Sequence, residues 1–181
     1  MRKVVAHLFI SLDGVIESPA WTMPYFDEDM EAELSSQLAL QDAVLLGRVS
    51  YQEWAGYWPT SNDEPFATYI NNTPKYVVSN TLEKVEWKNS TLLKGDLAEN
   101  VIRLKKQPGK NIAVNASPTL VRFLLQLGLL DELRLSLFPV VVGKGKRLFQ
   151  DGDDQKPLML VETKTSKSGV VILAYQPRQK A

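Results

Sequence analysis

Three short stretches combine residue types that hold anions. Leu46-Gly47-Arg48-Val49-Ser50 places a glycine, a cation and a hydroxyl between an apolar run and the start of a helix. Val78-Ser79-Asn80-Thr81 runs from a strand into three small polar residues. Val114-Asn115-Ala116-Ser117-Pro118-Thr119 makes a tight small-residue turn into a helix N-terminus. Free backbone N–H groups and the helix dipole make such a terminus an anion site. Each stretch alone is explicable as a turn, a loop or a cap. If the preceding strands are parallel, all three end on one sheet edge and form a cradle for a ligand with several phosphates.

Other chemistries are excluded. The chain has no cysteine, which removes thiolate nucleophiles, zinc fingers and iron–sulfur clusters. One histidine, His7, cannot supply a multi-histidine metal site, and no metal is expected. Flanked by apolar residues, His7 reads as a core histidine. Gly143-Lys144-Gly145-Lys146-Arg147 resembles a phosphate loop but lacks the full spacing and the final Ser or Thr. No G-x-G-x-x-G follows a strand, and no G-x-S-x-G elbow exists. Trp54, Tyr57 and Trp58 read as packing residues.

These stretches must be positioned by strands and helices that alternate. Val4-Val5-Ala6-His7-Leu8-Phe9-Ile10 reads as a buried strand, followed by a loop to about Phe26. Asp27 can cap a helix reaching about Leu40, with Glu28 and Asp29 favourable in its first turn. Strands follow at 43–46, 75–78 and 111–114, with helices through Tyr51 and Trp54 and over 96–106. Ser117 suits an N-cap, Pro118 the first helical position and Gly128 the stop of a helix with Leu120, Val121, Leu124 and Leu127 on its apolar face. Strand candidates at 132–142, 158–165 and 170–176 close the chain, the last two joined by a Ser168-Gly169 turn. This order predicts an α/β protein in three layers, with a mostly parallel central sheet and antiparallel C-terminal strands, all in one domain over 1–181.

Length and charge agree with that reading. The 181 residues suffice for one core without a disulfide or metal staple. Lys plus Arg number 21 and Asp plus Glu number 21, but residues 1–90 carry a net of −7 and residues 91–181 a net of +7. The basic residues of the second half alternate with apolar strand positions, and no RNA-recognition signature is present, so no nucleic acid is expected as partner. No apolar stretch is long enough to cross a membrane, and the short apolar run after Met1 does not make a secretory signal. The expected location is the cytoplasm.

The chain resembles the dihydrofolate-reductase-like fold, and within it the C-terminal reductase domain of the bifunctional deaminase–reductase of riboflavin synthesis. The resemblance rests on Ser11-Leu12-Asp13-Gly14-Val15-Ile16, on Leu46-Gly47-Arg48 with Ser50-Tyr51, on Val78-Ser79-Asn80-Thr81-Leu82 and on Ser117-Pro118-Thr119-Leu120. It rests most on the run from Gly128-Leu129-Leu130-Asp131 through Pro139-Val140-Val141-Val142-Gly143 to Arg147-Leu148-Phe149. What it implies is an NADPH-dependent reductase, with 5-amino-6-(5-phosphoribosylamino)uracil reductase activity as the specific reading. Gly47, Arg48 and Ser50 would then hold cofactor phosphate. Ser79, Asn80 and Thr81 would lie near the 2′-phosphate, and Asn115, Ala116, Ser117, Thr119 and Leu120 would wrap the pyrophosphate. Gly14, Val15 and Ile16 would lie near the nicotinamide.

The resemblance further implies a pteridine- or pyrimidine-like substrate met by Asp13, Lys144 and Lys146, and a homodimer. Asp27 follows Trp21-Thr22-Met23-Pro24 and is the candidate catalytic proton donor, with helix capping as its other reading. Relatives often carry Gly-Gly or Gly-Ser where this chain has Asn115-Ala116, so a Cβ there is expected to hinder the approach of a pyrophosphate. The competing class is a non-catalytic NADP-binding or assembly protein that kept the fold.

Overall fold

The structure is a computed structural model and describes residues 1–178. Eight strands form one sheet: β1 Val4–Ser11, β2 Gln41–Gly47, β3 Lys75–Val78, β4 Ser90–Leu93, β5 Asn111–Val114, β6 Glu132–Phe138, β7 Leu158–Thr165 and β8 Val171–Pro177. Their spatial order is β4-β3-β2-β5-β1-β6-β8-β7. The first six are parallel; β8 is antiparallel to β6, and β7 to β8. The three-layer, mostly parallel sheet with antiparallel C-terminal strands is therefore observed.

Five α-helices cover it: α1 Glu28–Ala39, α2 Arg48–Tyr57, α3 Phe66–Asn72, α4 Leu97–Lys105 and α5 Pro118–Gln126. The central strands are apolar on both faces, as a doubly covered parallel sheet requires. In β2, Ala43 and Leu45 pack with Val101 of α4 and Val121 of α5. Val44 and Leu46 face the other way, toward Tyr51 of α2 and Ile70 of α3. Further along that second face, Met30 of α1 packs on Phe138 and Ile172. No helix among the described residues is long and apolar enough to cross a membrane.

His7 is a core residue, as expected. Its Nε2 lies 2.9 Å from Ser136 Oγ, and burial lowers its pKa to about 4, so the ring is neutral. Beside it Arg134 forms a buried ion cluster, with Nη2 at 3.0 Å from Glu33 and 2.8 Å from Glu162 and Nη1 at 2.9 Å from Glu132.

Several expectations need correction. The sixth strand ends at Phe138 rather than 142, because Pro139 has no N–H to continue the ladder. The loop before Phe26 contains a 3-10 turn, Pro19–Tyr25. Strand β4 and helix α3 were not anticipated: β4 is a half-polar four-residue edge strand, and α3 has no side-chain cap.

Candidate functional site

The chain leaves β2 toward β3 on one side, through α2, and leaves β5 toward β6 on the other, through α5. These two strands are neighbours, so the topological switch point lies between their carboxyl ends, where ligands bind in open α/β sheets. Gly47 and Ser117 sit there. The Gly47 N–H donates to Ser117 Oγ at 2.9 Å, joining two of the three junctions. A Cβ on Gly47 would lie 3.3 Å from that oxygen, a tight contact that the hydroxyl would have to yield to.

Four of the helices start on this edge, and they differ at their N-termini. Asp27 caps α1 by accepting the Met30 N–H at 3.0 Å, and Asp96 caps α4 by accepting the Glu99 N–H at 2.8 Å. Neither α2 nor α5 has a side-chain cap. Their first-turn N–H groups and dipoles face the switch point without a carboxylate in front of them. Arg48 opens α2, is exposed, and touches Gln52 Oε1 through Nη1 at 3.3 Å; Ser50 is buried one turn in. Two helix ends without side-chain caps can take a phosphate-bearing ligand, and the exposed Arg48 guanidinium, which lies along α2 at Gln52, would have to leave that bond to reach it.

Ser117 departs from the expected cap. It sits before α5 in the left-handed region (φ 67, ψ 68), and its hydroxyl turns to Gly47 instead of its own helix. Such a conformation costs about 1–2 kcal/mol in a residue with a Cβ. The buried face of α5, Leu120, Val121, Leu124 and Leu125, contributes about 2 kcal/mol per side chain and outweighs it. Packing, not capping, holds this helix. Asn115 and Ala116 do not share the left-handed backbone.

The third junction is more self-contained. Ser79 Oγ accepts the Thr81 and Leu82 N–H groups at 3.1 and 3.0 Å, and Asn80 Oδ1 accepts the Gly95 N–H at 2.7 Å. Ser79 is thus a turn-former, while Asn80 and Thr81 stay exposed on the edge. Two residues proposed for the cofactor are core side chains. Leu120 packs in the core, and Val15 is fully buried in a short antiparallel bridge to Arg147. Only their backbones can meet a ligand. Thr119 is exposed, Ile16 is partly buried, and Gly14 has φ 82.

On the β1 side of the edge, Asp13 organises a loop. Its Oδ1 accepts Ser11 Oγ–H at 2.6 Å and Val142 N–H at 3.1 Å, and its Oδ2 accepts Gly143 N–H at 2.8 Å. The Ser11 hydroxyl, then the two amides, hold its pKa near 2. Asp13 therefore faces the loop that carries Lys144 and Lys146 rather than open space. Lys146 lies 3.9 Å from Glu17, whereas Lys144 has no ion-pair partner among the described residues. Ser11 was missed by sequence reasoning; the Ser-x-Asp-Gly spacing is the signal that could have found it.

Asp27 is a helix cap. Beyond Met30, its Oδ2 accepts the Ser168 N–H at 2.8 Å. Desolvation opposes ionisation, but the Met30 and Ser168 hydrogen bonds outweigh it, and the pKa is lowered. The side chain thus caps α1 and ties its start to the turn at Ser168. A cavity of about 830 Å³ opens beside α2 between Tyr51, Leu82 and Trp87; none of the anticipated site residues lines it.

This sheet order is that of a dihydrofolate-reductase-like fold. The chain belongs to the RibD C-terminal domain family, which it matches over residues 2–172. It is 33% identical over 178 residues to the uncharacterised protein YyaP of Bacillus subtilis (strain 168), covering 96% of this chain and 94% of that protein. Its fold is similar to the diaminohydroxyphosphoribosylaminopyrimidine deaminase/5-amino-6-(5-phosphoribosylamino)uracil reductase of Thermotoga maritima. That match has a TM-score of 0.68 at 14% identity and covers 98% of this chain but 57% of that one. Dihydrofolate reductase from Enterococcus faecalis, complexed with NADP(H), matches with a TM-score of 0.66 at 11% identity, covering 98% of this chain and 97% of that one.

Proposed function

We propose that the chain is an NADPH-dependent reductase of a pyrimidine- or pteridine-like small molecule, with a phosphoribosylaminouracil as the specific substrate. The observation that carries this reading is the pair of uncapped helix ends, α2 and α5, joined at the switch point by Gly47 and Ser117. When bound, NADPH supplies the hydride. The chain's own part is to bind and orient. The N–H groups of Val49 and Ser50, those of Thr119 and Leu120, and the Arg48 guanidinium hold phosphate oxygens. Asp13 fixes the loop that presents Lys144 to the substrate phosphate. On a ring-opened ribosylamine, hydride goes to C1 and a proton to the adjoining nitrogen. Asp13 and Asp27 are both held ionised, so water supplies that proton.

NADPH titration followed by fluorescence tests the reading. Wild type should bind, and Arg48→Ala should bind at least tenfold more weakly, as loss of a charged phosphate contact implies. Equal affinity refutes the role of Arg48. Failure of wild type to oxidise NADPH with any pyrimidine or pteridine substrate refutes the reductase. Cofactor binding without turnover would instead favour a non-catalytic NADP-binding or assembly protein. The protein works in the cytoplasm as a homodimer in this proposal. Support for the dimer comes from β7, an edge strand exposing Met159, Leu160 and Val161 in a row; light scattering that gives the mass of one chain overturns it.

A further inference from the structure

We infer that Ser117 is a positioning residue for the crevice, acting through Gly47 to set the distance between the N-termini of α2 and α5; this rests on the cofactor reading above. Three observations converge on it. First, Ser117 is one of three non-glycine residues with positive φ among the described residues, and the other two, Ser18 and Asn89, lie outside the switch point. A left-handed serine persists only where its surroundings over-determine it, and such strain gathers at functional sites.

Second, the left-handed turn has a definite result. It carries the hydroxyl away from the first turn of α5 and onto a backbone amide 70 residues earlier in the chain. A serine that only started its helix would accept from the second or third N–H of that helix. Ser117 leaves those groups open, so one side chain both uncovers the α5 terminus and ties it to the α2 junction.

Third, the fit at Gly47 is tight. The nearest atoms to a Cβ built there are Ser117 Oγ at 3.3 Å and Ser117 Cβ at 3.5 Å. Gly47 itself has an extended backbone (φ −79, ψ 165) that any residue adopts. A side chain at this position would press on the Ser117 hydroxyl by a few tenths of an ångström, so what the glycine gives here is close approach, not backbone freedom. The two residues form a matched pair across the gap between β2 and β5.

A merely structural serine and a positioning serine differ in what their replacement does. Ser117→Gly removes the hydroxyl but takes φ 67 without strain. Its melting temperature should equal or exceed that of wild type. Ser117→Ala also removes the hydroxyl but keeps the strained Cβ, and should melt below Ser117→Gly. Both should bind NADPH about tenfold more weakly than wild type, the effect of one lost hydrogen bond that organises a phosphate site. In both, the Gly47 amide of the cofactor-free protein should exchange its hydrogen faster.

A double-mutant cycle with Arg48→Ala decides whether Ser117 acts through the Gly47–Arg48 junction. Coupling is expected, so that Ser117→Gly costs less than its tenfold in the Arg48→Ala background. An undiminished loss there, wild-type affinity in Ser117→Gly, or unchanged Gly47 exchange each overturns the inference. Should wild type fail to bind NADPH, the cofactor reading falls, while the Gly47 exchange rates still decide whether Ser117 holds the junction.

Discussion

Asp13 Oδ2 accepts the Gly143 N–H at 2.8 Å, tying the end of β1 to a loop 130 residues later in the chain. With Ser11 and Val142 on its other oxygen, this carboxylate closes the loop over the edge where β1 ends. Replacing it with alanine should free residues 142–147, raising their amide exchange about tenfold. The pKa near 2 lies below the ordinary carboxylate value of about 4. The contribution of Asp13 is thus present above about pH 4 and lost as pH falls toward 2. Hydrogen-exchange mass spectrometry of the wild type across pH 2–5, set against Asp13→Ala, checks both points.

Asp27 separates a cap from a catalyst. Asn can still cap through Oδ1, but its NH2 cannot accept the Ser168 N–H that Oδ2 holds, so Asp27→Asn should lower the melting temperature by less than Asp27→Ala. Both variants should leave turnover per folded molecule intact. Loss of turnover in folded Asp27→Asn would restore Asp27 as the proton donor.

The Arg134 cluster predicts a large stability effect. Glu33 and Arg134 side chains are about 5% exposed and lie 3.0 Å apart. Burial raises the Glu33 pKa, but Arg134 and Lys164 outweigh it and the net shift is downward. Removing Arg134 leaves the buried Glu33 carboxylate with the half-exposed Lys164, at 3.3 Å, as its one remaining ion pair among the described residues, so Arg134→Leu should destabilise by about 3 kcal/mol or more. Urea unfolding of the variant measures this; a change under about 1 kcal/mol would mean that Lys164 suffices for Glu33.

Lys75 gives a pH signature in the opposite range. Its ammonium is fully buried, donates to the Ile70 and Thr73 carbonyls at 2.7 and 2.9 Å, and lies 4.4 Å over the Trp87 ring. Burial, then the nearby Lys88 charge, lower its pKa to about 8. Between pH 8 and about 10.5 the unfolded chain holds a proton that the folded chain has released, so stability contributed by this residue rises with pH there. The wild type should gain stability over that window relative to Lys75→Met, as urea midpoints at pH 7, 9 and 10 would show.

Much of the fold was legible in the residues. Strands β3, β5 and β7 fall where short apolar or β-branched runs meet Pro, Gly or turn residues, and Asp27 and Asp96 mark the starts of α1 and α4. Edge strand β4 escaped because half its residues are polar and its pairing is supplied by β3 alone. In the site, the three junctions were visible as residue types. Their geometry was not, because the Gly47–Ser117 bond depends on β2 and β5 being neighbours. That adjacency is a property of topology, which local propensity does not encode. For the same reason Ser117 read as a cap: a hydroxyl before a helix gives no sign that its partner lies in another strand. Val15 and Leu120 were placed by motif, and core packing claimed their side chains.

The position of β1 in the sheet has a consequence for biogenesis. Its two neighbours are β5 and β6, both made after residue 110. During synthesis strand β1 therefore has no sheet partner until residues beyond 110 have been made. β5 is the strand that links β1 to β2, and with the turn after it completes the Gly47–Ser117 junction. No shorter nascent chain can engage a ligand between Gly47 and Ser117, and the long wait exposes an aggregation-prone segment to chaperones.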